Sequence, residues 1–218
     1  MKKKQKDTFL EDEGDSYFDR NDIKMQNTEM GLKDPIINAL SKLLDKKNTK
    51  ENIELLEIGC GPGIRLQWIS QNLNVKCYGI DPSKKAVEAA NIKNVIATIG
   101  TADDLKFENE KFDIVVFGFC LYLCDPSDFF QIAKETDRIL KKNGYIVIRD
   151  FFSTAPLSVK YKYKSNIFTH KMDYRKLFDW HPDYTCIFHA IDSGKNTPYT
   201  DDKNEWRATS IIRKNSHR

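Results

Sequence analysis

Residues 55–66 read LLEIGCGPGIRL, and the rest of the chain is arranged around them. Ile53, Leu55, Leu56 and Ile58 spell a short buried strand that carries Glu57 near its C-terminal end. Gly59, Gly61 and Gly63 follow at alternate positions, and an amphipathic helix runs from about Ile64 to Leu73. A strand, a glycine-rich turn and a helix form the front of a Rossmann-type βαβ unit, where a ligand lies across the carboxyl ends of the strands. Glycine supplies the positive φ values and the missing Cβ that let backbone come close to a ligand. A dinucleotide fingerprint, G-x-G-x-x-G, would put its third glycine at position 64, where Ile64 stands. The plain alternative is a tight βα turn that holds nothing.

The following segments keep the strand–helix alternation. Val75 to Ile80 reads as the second strand and ends in Asp81-Pro82-Ser83. Asp81 lies 20 residues beyond Gly61, at a strand tip where a carboxylate accepts hydrogen bonds from both hydroxyls of a ribose. It would otherwise cap the next helix, a task for which Ser83 is already placed. Ala86 to Asn91 continues that helix, Asn94 to Ile99 is a third strand, and GTADDLKF follows at residues 100–107. Lys111-Phe112-Asp113 leads into IVVFGF, a fourth strand with Phe117 and Gly118 at its tip. After Leu121-Tyr122-Leu123 and Asp125-Pro126, the pattern predicts a helix over Ser127–Leu140 and a turn at Lys141–Gly144. Strand five then spans Tyr145–Ile148 and closes on Arg149-Asp150.

With E-x-G-x-G-x-G at 57–63, an acid at 81, GTADDLKF at 100–107 and the later FD–strand–DP–helix–LKKNG–strand run, the chain resembles the class I S-adenosylmethionine-dependent methyltransferases. The likeness covers roughly residues 53–148. It implies a Rossmann-like α/β fold, with a seven-stranded, mostly parallel sheet, helices on both faces and a C-terminal antiparallel hairpin. Tyr184–Ile191 and Trp206–Arg213, joined by a polar loop, suit that hairpin. The resemblance also implies S-adenosylmethionine as cofactor. Glu57, Gly59, Cys60, Gly61, Gly63, Asp81 and Pro82 would then hold its methionine and ribose parts. The family often reads G-D-A-x-x-L-x-F at the turn that meets the adenine. Here Thr101 replaces the usual acid, so that contact falls to backbone near Thr101 and Ala102, with Asp103 the nearest acidic side chain. Phe117 and Gly118 complete the expected cofactor set.

Composition sets wide limits. At 218 residues there is room for one α/β domain with a full core. A net charge of +3 neither demands nor excludes a nucleic-acid partner. No apolar run approaches the ~20 residues of a membrane span. MKKKQKDTF has a basic run without an apolar segment after it, unlike a secretory signal. Five irregularly spaced cysteines point to reduced thiols in a cytoplasm, and Cys120 and Cys124 lack the companions a zinc site needs.

The acceptor side is read from the two ends. Residues 1–34 form a polar arm, with EGDSYFDRN at 13–21 concentrating Tyr17, Phe18 and Arg20. Either the aromatics pin a surface arm, or the arm is a lid with Arg20 available to a carboxylate. Residues 35–218 then form one domain whose helix opens at Asp34-Pro35 and ends at Lys46-Lys47-Asn48. Residues 151–180 form a substrate-facing insert whose first part, Phe151 to Ile167, lacks periodicity. In it Lys160, Lys162 and Lys164 alternate with Tyr161 and Tyr163, followed by His170, Lys171 and a helix over Tyr174–Trp180. The strip is a solvated lysine face, an anion pocket in which Tyr161, Tyr163 and Lys171 join Tyr17 and Arg20, or a contact for RNA. Tyr122, Asp150 and His170 are the candidate bases, and an ordinary structural role competes with catalysis for each. Tyr122 is handicapped by a phenol pKa near 10. His181 and His189 read as packing or surface positions.

EGDSYFDRN and the tail from Pro156 through KMDYRKLFDWHPDY to DDKNEW resemble bacterial methyltransferases of nonulosonic-acid and other surface-glycan pathways. This implies methyl transfer to an O or N atom of a small anionic acceptor such as a sugar or sugar nucleotide. RNA or protein methylation, and cofactor binding without catalysis, are the rival readings.

Overall fold

The computed structural model describes residues 3–26, 30–45, 52–93, 95–193 and 201–216. Its centre is a sheet of seven strands, of which five are parallel: β1 (Ile53–Ile58), β2 (Val75–Asp81), β3 (Ile96–Ile99), β4 (Phe112–Gly118) and β5 (Leu140–Phe151). A hairpin, β6 (Leu157–Lys160) and β7 (Phe168–Lys171), stands apart from it. β8 (Tyr184–Asp192) and β9 (Arg207–Lys214) complete the sheet in the order β3-β2-β1-β4-β5-β9-β8, with β9 antiparallel to both neighbours. This is the expected mostly parallel sheet with its antiparallel ending.

Alternation along β1 shows why the sheet is covered on both sides. Leu55 packs with Ile36, Leu40, Leu66 and Val116 on one face, and Leu56 with Val115, Phe117, Ile132 and Ile146 on the other. Successive strand side chains point to opposite faces, so a strand apolar at nearly every position needs two covering layers. Helices α3 (Pro35–Asp45), α4 (Ile64–Asn72), α5 (Lys84–Ile92) and α6 (Phe129–Ile139) provide them. Asp34 opens α3 by accepting the Ile36 and Ile37 N–H groups at 2.9 and 3.0 Å. Lys46–Asn48, read as the end of α3, and Asn94, read as the start of β3, lie outside the described residues, as do residues 194–200 of the polar loop before β9. Among the described residues no helix is long and apolar enough to cross a membrane.

Several segments differ from their sequence reading. The polar arm is helical: α1 (Gln5–Thr8), a π turn at Phe9–Glu13 and α2 (Gly14–Gln26). Its docking is by polar contacts that an apolar-periodicity argument does not register. Asp15 accepts the Ser83 hydroxyl at 2.7 Å and the Lys85 N–H at 3.1 Å. The aperiodic Phe151–Ile167 stretch contains β6. β5 starts at Leu140 and keeps residues 141–144 as a bulge, with Asn143 at φ 62°, where a turn was expected. The helix expected over Tyr174–Trp180 is one 3-10 turn, Tyr174–Leu177, because Leu177 and Phe178 both turn into the core.

Candidate active site

The carboxyl ends of β1, β2 and β4 open into a cavity of about 520 Å³. That lies within the ~300–1,000 Å³ typical of small-molecule pockets. The glycine turn forms its floor. Gly59, Gly61 and Gly63 all have positive φ, at 74°, 51° and 68°. The Gly59 and Cys60 N–H groups both donate to the Ile80 carbonyl, at 2.8 and 3.0 Å, which ties the turn to the tip of β2. Asp81 sits at that tip, with one carboxylate oxygen accepting the Gly61 N–H and the other the Ser83 N–H, each at 2.9 Å. Burial pushes its carboxyl up to about 6 against those two backbone donors.

This geometry suits the ribose of S-adenosylmethionine. Asp81 is a buried carboxylate that lines the cavity and meets only backbone donors there, so lone pairs remain for the two ribose hydroxyls. Cys60, Pro82, Thr101, Ala102, Asp103 and Gly118 line the same cavity. Asp103 pairs with Lys6 from the first helix of the arm, which holds its carboxyl below the usual range although burial acts the other way.

Three residues assigned to the cofactor stand elsewhere. Glu57 is 1% exposed and paired with Arg65, which also reaches Asp34 at 3.2 Å. Burial pushes the Glu57 carboxyl up to about 7 against the pull of Arg65. Its side chain is part of an internal ion pair behind the cavity wall, and Arg65 is the member that lines the cavity. Gly63 is needed for helix packing: a Cβ there would come 2.9 Å from the Ala90 Cβ. Phe117 is fully buried under the sheet against Phe178. The tip of β4 meets the cavity instead through Gly118, Phe119 and Cys120.

The three candidate bases also lie off the cavity wall. Asp150 is 2% exposed and accepts the Phe151 N–H at 2.7 Å and the Tyr122 N–H at 3.3 Å. Burial pushes its carboxyl up to about 7, and those donors pull it down. It fixes the turn after β4. His170 sits in β7, its Nδ1 2.8 Å from the Ser158 hydroxyl, and burial lowers its pKa. Tyr122 is buried behind the wall, its hydroxyl 3.4 Å from that of Tyr17, and burial raises its pKa further.

Of the acceptor residues, Tyr17 lines the cavity, beside Phe9, Gly14 and Phe18 of the arm. The arm lies over the end of β2 so closely that a Cβ on Gly14 would come 3.0 Å from the Ser83 nitrogen. Arg20 finds its carboxylate within the arm, pairing with buried Glu13 and stacking 4.0 Å over Tyr163. Tyr161 donates to Glu13 at 2.9 Å, and Lys171 to the Asn204 carbonyl at 2.7 Å. Tyr161, Tyr163 and Lys164 of the basic-aromatic strip thus latch the insert to the arm. Phe119 and Arg207 complete the far wall. Neither was legible: Phe119 has φ 58°, rare for a bulky residue, and Arg207 lies far along the chain among charges of no pattern.

The comparisons with known proteins agree with this geometry. A family model described as a methyltransferase domain matches residues 56–148. The ubiquinone biosynthesis O-methyltransferase of Pelagibacter ubique is 33% identical over 49% of this chain and 45% of its own. The tRNA N(3)-methylcytidine methyltransferase of Schizosaccharomyces pombe is 24% identical over 63% of this chain and 48% of its own. The chain thus spans just under half the length of these curated relatives. The 1,6-didemethyltoxoflavin-N1-methyltransferase of Burkholderia thailandensis, solved with S-adenosylhomocysteine, superimposes with a TM-score of 0.66 at 14% identity, over 95% of this chain and 87% of its own. Residues 56–148 thus resemble a methyltransferase domain, and the chain shares the fold of a solved S-adenosylhomocysteine-bound methyltransferase.

Proposed function

We propose that the protein transfers the methyl group of S-adenosylmethionine to a small-molecule acceptor with an apolar body. The observation that carries this is the roofed cavity: Phe9, Gly14, Tyr17 and Phe18 of the arm cover it, and Phe119, Cys120, Leu123 and Cys124 wall its far end. The arm acts as the lid of this site. A roof and an apolar wall suit a compact acceptor, whereas nucleic acid needs an open basic track. Of the lysines and tyrosines of the basic-aromatic strip, Lys164, Tyr161 and Tyr163 are engaged with the arm, as in the 2.6 Å Lys164–Asp12 pair. A sugar, expected from the glycan likeness, is disfavoured by the apolar stretch of Phe119, Cys120, Leu123 and Cys124. Relatives named for ubiquinone biosynthesis, demethylmenaquinone and didemethyltoxoflavin also favour a small acceptor.

S-adenosylmethionine, when bound, supplies the sulfonium methyl carbon that the acceptor's lone pair takes up as the carbon–sulfur bond breaks. The chain's own part is to position: Asp81 and the glycine turn hold one end, and the arm excludes water. Alignment of this kind supplies ~7–11 kcal/mol in favourable cases. Tyr122, Asp150 and His170 do not line the cavity, so the acceptor's proton is lost before binding.

The test feeds methyl-labelled S-adenosylmethionine and a fractionated cell extract to the purified protein. Label is expected in the small-molecule fraction. Label confined to RNA or protein overturns the acceptor class, and binding of S-adenosylhomocysteine with no label anywhere overturns turnover.

A further inference from the structure

We propose that Arg207 is the anion receptor of the acceptor site, its guanidinium binding a carboxylate or phosphate on the methyl acceptor. The proposal rests on the methyl-transfer reading above. Among the described residues the cavity is lined by three cations, Lys6, Arg65 and Arg207. Lys6 is matched by Asp103, and Arg65 by Glu57 and Asp34. Among the described residues no carboxylate meets Arg207, and its Nε is buried without an acceptor. The carboxylate opposite it in the β8–β9 register, Asp192, is taken by Arg149, which grips both its oxygens at 2.6 and 2.7 Å. The lining carboxylates are likewise served from within, Asp125 by the Gln5 N–H at 2.7 Å and Asp128 by Lys4.

What does hold Arg207 is aromatic. Its guanidinium lies 5.4 Å from the Phe119 ring centre and 5.6 Å from that of Phe151. Stacking on a ring fixes the guanidinium plane and leaves its edge of N–H donors for a second partner. That edge matches the two oxygens of a carboxylate or phosphate. The placement also fits. Arg207 pairs with Phe151, the last residue of β5, and two further strand steps, through β4, reach β1 and the glycine turn. Three strand spacings of ~4.8 Å put it roughly 14 Å from β1. That separation leaves room for the reacting end of the cofactor and an acceptor of one or two rings.

The experiment titrates the full chain, with and without saturating S-adenosylhomocysteine, with benzoate, phenyl phosphate and neutral benzamide, by calorimetry. At least one anion should bind about 10–100-fold more tightly than benzamide, as charge-assisted hydrogen bonds imply. Arg207→Ala should erase that preference, Arg207→Lys should retain part of it, and both should bind S-adenosylhomocysteine like the parent. A preference for benzoate or for phenyl phosphate assigns the acidic group. Absence of anion binding, equal binding of benzamide, or a preference that survives in Arg207→Ala overturns the proposal. Failure of the parent protein to bind S-adenosylhomocysteine strikes the methyl-transfer reading instead, because the titrations without it still report on Arg207.

Discussion

The two ends of the cavity are built in different ways. The cofactor end is local: β1, the glycine turn and the tip of β2 lie within residues 53–83 and are tied by backbone hydrogen bonds. The other end, proposed for the acceptor, gathers the N-terminal helices, the residues after β4 and the first residue of β9. A local end is set by backbone geometry that few residue types satisfy. An assembled end is set by whichever side chains the sheet order delivers to one rim. The first should therefore be intolerant of substitution, and the second tolerant except where a side chain has no substitute.

The largest expected effect tests the intolerant end. Asp81→Ala removes two acceptors for the ribose and leaves the Gly61 and Ser83 N–H groups unpaired, so affinity for S-adenosylhomocysteine should fall by about 100-fold. Calorimetric titration would show it, and unchanged affinity would sink the assignment. The same carboxyl sets a pH dependence. Its pKa is raised to about 6 in the folded chain, and only the ionised form accepts both hydroxyls. Cofactor affinity should accordingly be full above that value and decline as pH falls through it, a dependence that Asp81→Asn should flatten.

A middle effect separates backbone need from ligand contact within the glycine turn. Gly63→Ala puts a Cβ at φ 68° and 2.9 Å from the Ala90 Cβ. It should cost about 1–3 kcal/mol in denaturant unfolding, while the folded fraction keeps its cofactor affinity. Loss of affinity without loss of stability would return Gly63 to the ligand.

The smallest effects belong to side chains behind the wall. Tyr122→Phe and His170→Gln should each change kcat by less than about threefold, far short of the ~10²–10⁴ of a working general base. A drop of that larger size in a variant that folds and binds cofactor would reinstate the residue as a base.

How much was readable follows the same division. The place of Asp81 at the cavity was legible because a strand tip, a fixed offset from the glycines and a competing cap at Ser83 together single it out. Glu57 was misplaced because its partner Arg65 lies eight residues on, across the turn, where spacing gives no sign of an ion pair. Asp150 looked catalytic for being acidic at a strand end, yet the N–H groups of Phe151 and Tyr122 claim the carboxylate. The arm's helices were hidden because polar contacts such as Asp15–Ser83 dock them, and polar docking leaves no apolar period.

By itself the amino-acid sequence determined the α/β fold, the glycine turn and the acid at the tip of β2, since each depends on residues close in the chain and on backbone conformations open to few side chains. Only the tertiary structure decided which aromatic and charged groups share the opposite end of the cavity. Phe119, Phe151 and Arg207 meet because β5 and β9 are hydrogen-bonded neighbours and their ends coincide, a juxtaposition set by strand order and register.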